Sequence, residues 1–299
     1  MALSASKGPN MSTDRAHIII VNYNAGDWLQ RSVNSALIHT QAIITIVDNA
    51  SSDSSVAETQ SRLSDDRLAW QINTENLGFA AANNQVLKSV EQEFAILMNP
   101  DCELNESSVL PILQAMDEDA AIGLASGRIC NEDGSIQASC RRRFPTPWSS
   151  FVRLFQLHKV FPKSPKFSNF DYGDAELTEN VEKVEAISGA FMVVRTSALA
   201  RVGLLDESYF MHCEDLDWCK RFELAGYDVA FVPNASLLHA KGVSSKARPI
   251  RVLYTLHKGM NRFFDKFYKE QTSLVVRMFV KAGIIVSFLT RSFVSLVRR

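Results

Sequence analysis

The sequence predicts an α/β fold in which helices cover both faces of a mostly parallel central sheet. Between residues 17 and 101, short apolar runs that end in turn-forming residues are typical of buried strands. Segments with apolar residues at helical spacing separate these runs, so strands and helices alternate at regular intervals. The chain has 299 residues, 46% of them hydrophobic, which is enough for one large domain or for one domain and an appendage.

Four pairs of strand and helix are predicted in the first half of the chain. The strands are HIIIVNYN, AIITIVDN, LAWQINT and FAILMNPD, at residues 17–24, 42–49, 68–74 and 94–101. The helices are expected at 27–40, from the SSDSS cap to about residue 63, at 78–90 and at 106–118.

After residue 129 the pattern changes. NEDG at 131–134 predicts a hairpin turn, and 144–180, with four prolines and no clear periodicity, predicts a loop-rich insertion. Further strands are expected at 184–195 and 227–235, and further helices at 214–225 and 248–269.

Composition argues against several classes of protein. A formal net charge of -1 gives no general attraction for nucleic acid. Five cysteines without a CxxC pair fit a reducing compartment and argue against a disulfide framework or a zinc ribbon. Neither GxGxxG nor GxxxxGK followed by Ser or Thr occurs, so the glycine cradles of dinucleotide and P-loop sites are absent. Residues 1–16 are polar, lack the apolar segment of a secretory signal, and are expected to form a disordered tail.

Polar side chains follow several predicted strands at their carboxyl ends. They are Asn22, Tyr23, Asn24, Asp48, Asn99, Asp101 and His239. Taken singly, DNASSD reads as a turn and a helix cap, Asn-Pro-Asp as a turn, and the histidine as a packed residue. Because ligands of an open parallel sheet bind beyond the carboxyl ends of its strands, the convergence of these groups predicts a site for a nucleotide with a metal-bound diphosphate.

Without a glycine cradle, a divalent cation is expected to neutralise that diphosphate. Asp101 is the predicted ligand, and His239 is a candidate for the second. Mg²⁺ prefers few protein ligands together with phosphate oxygens, whereas Mn²⁺ accepts a histidine more readily. The predicted cofactor is therefore Mg²⁺ or Mn²⁺.

Seven motifs, in order, resemble those of a known family. They are VNYN, VDNASSD, NLGFAAANN, MNPD, SGAFMVVR, GLLDESYFMHCEDLDWCKR and PNASLLHAKG, in a match that spans about residues 18–245. Together they are similar to the inverting family 2 glycosyltransferases, which have the GT-A fold. CRRRFPTP at 140–147 is similar to the rhamnosyltransferase-like branch, which builds bacterial surface polysaccharides such as O-antigen, lipopolysaccharide and cell wall.

This resemblance implies a metal-dependent, inverting hexosyltransferase. Its donor would be dTDP-L-rhamnose, and its acceptor a saccharide, free or linked to a polyprenyl diphosphate. Two alternatives stay open: another donor, such as UDP-hexose or UDP-galactofuranose, and a catalytically silent scaffold subunit that binds sugar nucleotides. A nucleotidyltransferase would need a glycine- and arginine-rich phosphate loop near the N-terminus, which this sequence lacks.

The resemblance also implies roles for particular residues. Asp48 would accept a hydrogen bond from N3–H of the pyrimidine, and Asp101 stands where the family has its DxD-type metal motif, of which only the last acid is present. The other residues implied in binding the nucleotide sugar are Asn22, Tyr23, Asn24, Asn76, Gly78, Asn83, Asn99, Ser188 and Gly189. His212 and Cys213 depart from the aromatic and small residues that the family commonly has before its Glu-Asp pair.

The stretch FMHCEDLDWCKRF supplies the candidate base. An inverting transfer needs one group that takes the proton of the acceptor hydroxyl and one that stabilises the leaving diphosphate. Asp215 is predicted as the base, with its pKa raised by the neighbouring acids, and the resemblance implies the same residue. Support or acceptor contacts are expected from Glu214, Asp217, Trp218 and Arg221, although Asp217 and Arg221 would also form an ordinary helical ion pair.

The last segment, 274–297, is long enough to span a bilayer, but three charges interrupt it. Its basic residues lie near one line of a helix, which predicts a basic amphipathic helix on an anionic membrane surface; packing on the domain or in an oligomer is the alternative. The expected location is therefore cytoplasmic, peripheral on the inner face of the cytoplasmic membrane. The predicted regions are a tail at 1–16, a GT-A domain at 17–247 with a nucleotide half at 17–130 and an acceptor half at 131–247, and a helical region at 248–299.

Overall fold

The computed structural model describes residues 12–154, 157–161, 164, 179–240 and 249–297. Its first half alternates strands and helices, as the apolar periodicity predicts. The elements are β1 (Ala16–Asn22), α1 (Asp27–His39), β2 (Ile43–Asp48), α2 (Ser55–Arg62), β3 (Leu68–Ile72), α3 (Phe79–Leu87), β4 (Phe94–Met98), β5 (Cys102–Leu104), α4 (Leu110–Glu118) and β6 (Ile122–Cys130).

The second half has shorter strands and ends in two long helices. Its elements are β7 (Arg141–Arg142), α5 (Pro147–Leu154), α6 (Leu157–Val160), β8 (Glu182–Lys183), β9 (Ala186–Ile187), β10 (Phe191–Arg195), α7 (Leu199–Val202), α8 (Glu214–Leu224), β11 (Asp228–His239), α9 (Pro249–Phe267) and α10 (Leu274–Val297). The predicted hairpin turn forms, with the N–H of Gly134 donating to the carbonyl of Asn131 at 2.9 Å.

Nine strands form one sheet in the order β3-β2-β1-β4-β10-β6-β11-β5, with β8 paired to β11. β3, β2, β1 and β4 run parallel, β10 runs antiparallel between β4 and β6, and β6 and β11 are again parallel. The predicted α/β class is confirmed, although the second half of the sheet is mixed. Because β2, β1 and β4 share one direction, Asp48, Asn22 and Asn99 meet at one edge.

The apolar runs make the core of this sheet. Ile18, Ile19 and Ile20 of β1, and Ile96 and Leu97 of β4, have no exposed surface. Consecutive residues are buried because elements pack on both faces of the sheet, so these strands show an unbroken apolar run instead of alternation.

Three strands of the sheet, β5, β6 and β8, have no counterpart in the prediction. β6 was not expected, because small residues interrupt its apolar run. Two of these residues allow close packing: a Cβ on Gly123 would lie 2.8 Å from the ring of Phe222, and one on Gly127 would lie 2.6 Å from the carbonyl oxygen of Ala235.

Three predicted boundaries differ from the structure. The strand expected at 184–195 is divided into β9 and β10 by a turn at residues 188–190, called here the 188–190 turn. The insertion expected at 144–180 contains the helix α5, and residues 165–178 of it lie outside the described residues. Residues 12–15 of the predicted tail are ordered, with the hydroxyl of Thr13 accepting the N–H of Gln41 at 2.7 Å, whereas residues 1–11 lie outside the described residues.

The two C-terminal helices pack on each other and on the domain. Phe263 of α9 is buried and stacks on Phe144 at 6.2 Å. His257 of α9 places Nε2 3.1 Å from the hydroxyl of Ser287 in α10. Within the described part of the chain, α10 is the one helix long and apolar enough to cross a membrane. Its most apolar stretch has a mean hydropathy of 1.6, and none of the residues in that stretch is buried. α10 thus packs along one side, as the alternative reading of the tail expected, while many of its large apolar side chains stay exposed.

Candidate active site

The carboxylate of Asp48 ends β2 and is held in a fixed orientation. Asn22 Nδ2 donates to its Oδ1 at 2.7 Å, and Ser51 donates to Oδ1 through its hydroxyl at 2.6 Å and to Oδ2 through its N–H at 3.0 Å. Asp48 is 3% exposed. Because Oδ2 accepts a single hydrogen bond from the described residues, this oxygen has capacity for one further N–H donor.

The loops after β1 and β2 brace each other around Asp48. Asn24 Oδ1 accepts the N–H groups of Ser52 at 2.7 Å and of Asp53 at 3.2 Å. Asn24 has a φ of 52°, a left-handed conformation that asparagine tolerates better than most residues. Tyr23, beside it, is half-buried. The first two strand ends therefore form one preorganised rim.

Gly78 lies where a second loop reaches this rim. Asn76 Oδ1 accepts its N–H at 2.9 Å, and Asn49 Nδ2 donates to its carbonyl at 3.1 Å. Its φ is +85°, and an added Cβ would lie 2.4 Å from the carbonyl oxygen of Phe210, so the close approach requires glycine. Nearby in the chain, Asn83 is buried and its Oδ1 has no partner among the described residues.

His239 and Asp101 face each other, with Nε2 and Oδ1 3.1 Å apart. Gln137 donates from Nε2 to the carbonyl of His239 and to Asn131 Oδ1, each at 2.9 Å. Gln137 Oε1 therefore acts as an acceptor toward His239 Nδ1 at 3.1 Å, which assigns the proton of the neutral ring to Nδ1. The Nε2 lone pair then faces a carboxylate oxygen, an arrangement that a cation between them would stabilise.

Asp101, Cys102 and His239 form a group whose ligand atoms lie within 4.8 Å of one another. Cys102 is unsuited as a ligand, because burial, helped by the charge of Asp101, raises the pKa of its thiol well above the usual value. That thiol donates instead to the carbonyl of Ala190 at 3.4 Å. One carboxylate and one oriented imidazole fit a divalent cation that takes its other ligands from phosphate and water, and both Mg²⁺ and Mn²⁺ suit this set.

Asp215 is half-buried at the start of α8 and is bound by a residue from β7. Arg142 Nη2 lies 2.5 Å from Asp215 Oδ2, and the N–H of Gly189 donates to the same oxygen at 3.1 Å. Burial acts to raise the pKa of Asp215, but the charge and the hydrogen bond of Arg142 outweigh it and hold that pKa below the usual value. The expectation of a raised pKa for Asp215 is therefore wrong, because it left this arginine out.

The raised pKa belongs to the neighbouring acid. Burial raises the pKa of Glu214 to about 8, and the negative charge of Asp215 adds to the effect. Glu214 is 7% exposed, and its Oε2 has no partner among the described residues. At neutral pH the two adjacent carboxyl groups thus differ in charge: Glu214 keeps its proton and Asp215 is ionised.

Replacing Glu214 by glutamine is expected to change how stability depends on pH. The unfolded chain releases the Glu214 proton near pH 4.5, whereas the folded chain keeps it up to about pH 8. The wild-type free energy of unfolding therefore falls across this interval, by at most about 1.4 kcal/mol per pH unit from this group. Urea unfolding between pH 5 and pH 8 should show the Glu214→Gln variant gaining stability relative to wild type as pH rises.

A matched control lies on the same helix. Glu223 pairs with Lys220, and its side chain is 51% exposed. Glu223→Gln is expected to lack the gain that Glu214→Gln shows. A difference between Glu214→Gln and wild type that stays constant from pH 5 to pH 8 would mean that Glu214 is ionised in the folded protein.

The 188–190 turn joins the base candidate to the metal-ligand group. Gly189 contacts Asp215 through its N–H, and the carbonyl of Ala190 accepts the N–H of Asn99 at 2.9 Å. Ser188 Oγ accepts the N–H of Ala190 at 3.3 Å. Through Gly189 and Ala190, this turn therefore contacts both Asp215 and the strand end that leads to Asp101.

Of the residues expected to support the base or contact an acceptor, Asp217 and Trp218 lie inside the protein, and Arg221 is half-buried. Asp217 has no exposed surface and pairs with Arg221 Nε at 2.7 Å and Lys266 Nζ at 2.6 Å. Trp218 is fully buried and donates Nε1–H to the carbonyl of Gly203 at 3.0 Å. These contacts anchor α8, and the buried Trp218 has no surface to offer an acceptor, so acceptor contact is not favoured for this group.

Two residues of the site were not assigned roles by sequence reasoning. Arg142 lies within the CRRRFPTP motif, which indicated a subfamily but no partner for the arginine. Gln137 orients His239 from 102 positions away in the chain. Neither contact leaves a periodic signal, so a single sequence offers no means to find it.

The chain is similar in sequence to a known protein family and to several proteins of known activity. A family model described as Glycosyl transferase family 2 matches residues 17–199. The chain is 28% identical over 263 residues to an N-acetylglucosaminyl-diphospho-decaprenol L-rhamnosyltransferase of Mycobacterium tuberculosis, a match that covers 82% of each chain. It is 30% identical over 172 residues to Rhamnosyltransferase WbbL of Escherichia coli K12, covering 54% of this chain and 60% of that protein.

Solved structures share the fold at low sequence identity. GalNAc-T7 with UDP, GalNAc and Mn²⁺ gives a TM-score of 0.62 at 16% identity; the match covers 88% of this chain and 49% of that one, so this chain spans about half of that structure. The mannosyltransferase PcManGT from Pyrobaculum calidifontis, in complex with GDP-Man and Mn²⁺, gives 0.55 at 15% identity, covering 93% and 72%. These likenesses confirm the predicted GT-A fold.

Proposed function

The chain belongs to the glycosyl transferase family 2, and on this premise we propose that it transfers L-rhamnose from dTDP-L-rhamnose, with inversion, to a saccharide carried on a lipid diphosphate. Family membership makes the protein a glycosyltransferase. The two rhamnosyltransferase relatives support the choice of sugar, and the name of the Mycobacterium tuberculosis relative supports a diphosphate-linked acceptor. The observation that carries the proposal is the 188–190 turn, which contacts a carboxylate base on one side and the metal-ligand strand end on the other.

Asp215 takes the proton of the acceptor hydroxyl in this proposal. As the oxygen attacks the anomeric carbon, a new C–O bond forms on the face opposite the diphosphate. The bond from that carbon to the diphosphate oxygen breaks, and its electron pair leaves with the nucleotide. The proton ends on the Asp215 carboxylate, so charge and atoms balance.

Arg142 keeps Asp215 ready for this step. The arginine holds the carboxylate in its ionised form, although burial alone would favour the neutral acid. Protonated Glu214 adds no second negative charge beside it. A lowered pKa makes Asp215 a weaker base, so proton transfer is expected to occur late, as the new C–O bond forms and the hydroxyl becomes acidic.

The donor is assigned to the other side of the 188–190 turn. Asp48 Oδ2 has capacity for the N3–H of thymine. Oδ1 of buried Asn83, which has no partner in the described part of the chain, suits a sugar hydroxyl or an amide donor of the ligand. Asp101 and His239 Nε2 would hold Mg²⁺ or Mn²⁺ against the diphosphate. When bound, the ion would stabilise the negative charge that develops on the leaving group.

Attachment to the inner face of the cytoplasmic membrane is part of the proposal. α10 exposes large apolar side chains, including Leu274, Phe279 and Phe293. Arg277 and Lys281 lie on the same helix and suit an anionic lipid surface. A peripheral helix at this place would keep the site close to an acceptor that is itself anchored by a lipid.

The function is tested by a donor screen with a transfer assay. We expect dTDP-L-rhamnose with Mn²⁺ or Mg²⁺ to raise Tm, and to yield a rhamnosylated product with N-acetylglucosamine linked to a polyprenyl diphosphate. UDP-glucose, UDP-galactofuranose and GDP-mannose are tested under the same conditions as comparison donors. Stabilisation and transfer with a UDP-sugar alone would replace the rhamnosyl assignment, whereas binding without hydrolysis or transfer for any donor would indicate a silent scaffold subunit.

A further inference from the structure

A cavity of about 230 Å³ opens between α9 and the loop that precedes α8. Its wall on α9 carries Arg251, Lys258 and Arg262, spaced so that they share one face of the helix. Its other wall is formed by residues 208–210. This volume holds several water molecules, which is room for a diphosphate group.

The charges in this cavity are not all neutralised by the protein. Arg262 pairs with Asp206 at 3.0 Å, but no carboxylate among the described residues pairs with Arg251 or Lys258. Both of these side chains are exposed, and Arg251 lies 5.5 Å from the centroid of the Phe210 ring. Two cations beside an aromatic wall suit a phosphate-bearing ligand.

The cavity lies beside the base candidate. Gly259 lines it, and an added Cβ there would lie 2.8 Å from the carbonyl oxygen of His212 and 3.2 Å from Cys213 Sγ. These two residues directly precede Glu214 and Asp215 in the chain. Phe210, on the opposite wall, is in contact range of Gly78 on the donor rim. A ligand in the cavity thus has one end near the catalytic helix.

The cavity also adjoins the apolar C-terminal helix. Tyr254 lines it and meets Phe288 of α10 edge to face, with the ring centroids 6.3 Å apart. Around Phe288, α10 exposes large apolar residues such as Ile285 and Leu289. Apolar surface, cations and catalytic helix therefore follow one another in space, which is the order of lipid, diphosphate and sugar in a lipid-linked saccharide.

We propose that this cavity binds the diphosphate of the lipid-linked acceptor, with Arg251 and Lys258 as its phosphate contacts and Tyr254 and α10 beside the first part of the lipid. The inference rests on the proposed function for the identity of the acceptor. The donor diphosphate is assigned to Asp101 and His239, so the two diphosphates occupy separate sites. Arg251 and Lys258 bind and position the acceptor and take no part in proton transfer.

The test measures binding of the full chain to vesicles, without turnover. Phosphatidylcholine vesicles containing a few per cent polyprenyl diphosphate are compared with vesicles containing phosphatidylglycerol at the same total charge. Charge-assisted hydrogen bonds to phosphate change Kd by about tenfold or more each, so Arg251→Ala with Lys258→Ala should weaken binding to the diphosphate vesicles about 100-fold. A lysine or arginine that interacts only with an anionic surface changes Kd by about fivefold.

The matched control removes one exposed arginine and one exposed lysine outside the cavity, Arg201→Ala with Lys269→Ala. Its binding to diphosphate vesicles should change by a small factor. Equal wild-type affinity for both kinds of vesicle, or equal losses in the two double variants, would overturn the diphosphate site in favour of general attraction to anionic lipid.

If the diphosphate vesicles bind as expected but no rhamnosyl transfer occurs, the cavity assignment stands and the proposed donor fails. If transfer occurs with an acceptor KM that the Arg251 and Lys258 changes do not alter, the donor stands and the cavity assignment fails.

Discussion

Replacing Asp215 by asparagine is expected to lower kcat by about 100- to 10,000-fold, the usual contribution of a general base. The amide has the same shape as the carboxylate but cannot accept the proton of the acceptor hydroxyl. Asp215 contacts Arg142, Gly189 and Leu216, and none of these contacts involves the rim around Asp48. The Kd of dTDP-L-rhamnose, measured by calorimetry, should therefore stay close to the wild-type value.

The same change leaves the half-buried Arg142 without its carboxylate, which destabilises a protein by up to about 3 kcal/mol. Adding Arg142→Met removes that charge, so the double variant should recover stability while staying inactive. Loss of stability and loss of turnover are thereby separated. The exposed Glu223→Gln variant of the same helix should keep its activity. Wild-type turnover by the Asp215→Asn variant would show that another group accepts the proton.

Replacing Asp101 by asparagine is expected to abolish metal-dependent donor binding. Residues that only orient a metal ligand contribute about 10- to 100-fold to metal affinity, so the loss of the carboxylate ligand itself should exceed that range. His239→Ala should have a comparable effect, because Nε2 of the ring faces Asp101 at 3.1 Å. Titration of Mn²⁺ into the protein with dTDP present measures both affinities directly.

Two further variants make this prediction specific. Gln137→Leu removes the acceptor that holds the His239 proton on Nδ1, and should weaken Mn²⁺ binding by about 10- to 100-fold. Cys102→Ala removes a thiol that belongs to the same group of side chains but keeps its proton, and should leave Mn²⁺ affinity unchanged. A large loss for Cys102→Ala, or none for Asp101→Asn, would contradict the assignment of ligands.

Sequence periodicity was sufficient to predict β1 to β4 and the helices between them. The runs that became β1, β2 and β4 are apolar at nearly every position, because elements on both faces bury them. Polar residues at their ends, such as Asp48 and Asn99, could be assigned to one edge because parallel strands share a direction. β6 was missed because Gly123 and Gly127, which allow close packing, remove the apolar signal.

The electrostatics of the candidate site could not be predicted in the same way. Arg142 is 73 positions from Asp215, yet its charge reverses the expected direction of the pKa shift. The acid cluster did predict a raised pKa, but contacts made on folding decide which of its carboxyl groups keeps the proton. Likewise, the helical spacing of Asp217 and Arg221 predicted their ion pair, whereas the contact of Asp217 with Lys266 depends on how α9 docks.

Asp48, Asp101, Asp215 and His239 are proposed to serve one cleft, which a crystal structure with dTDP and Mn²⁺ would reveal. An anomalous difference map locates the ion independently of the refined protein coordinates. We expect one Mn²⁺ peak bound by Asp101, His239 Nε2 and the diphosphate. The thymine N3–H should donate to Asp48, and the end of the diphosphate that carries the sugar in the donor should face Asp215. A nucleotide bound away from Asp48, or a Mn²⁺ peak with neither Asp101 nor His239 as ligand, would contradict this proposal.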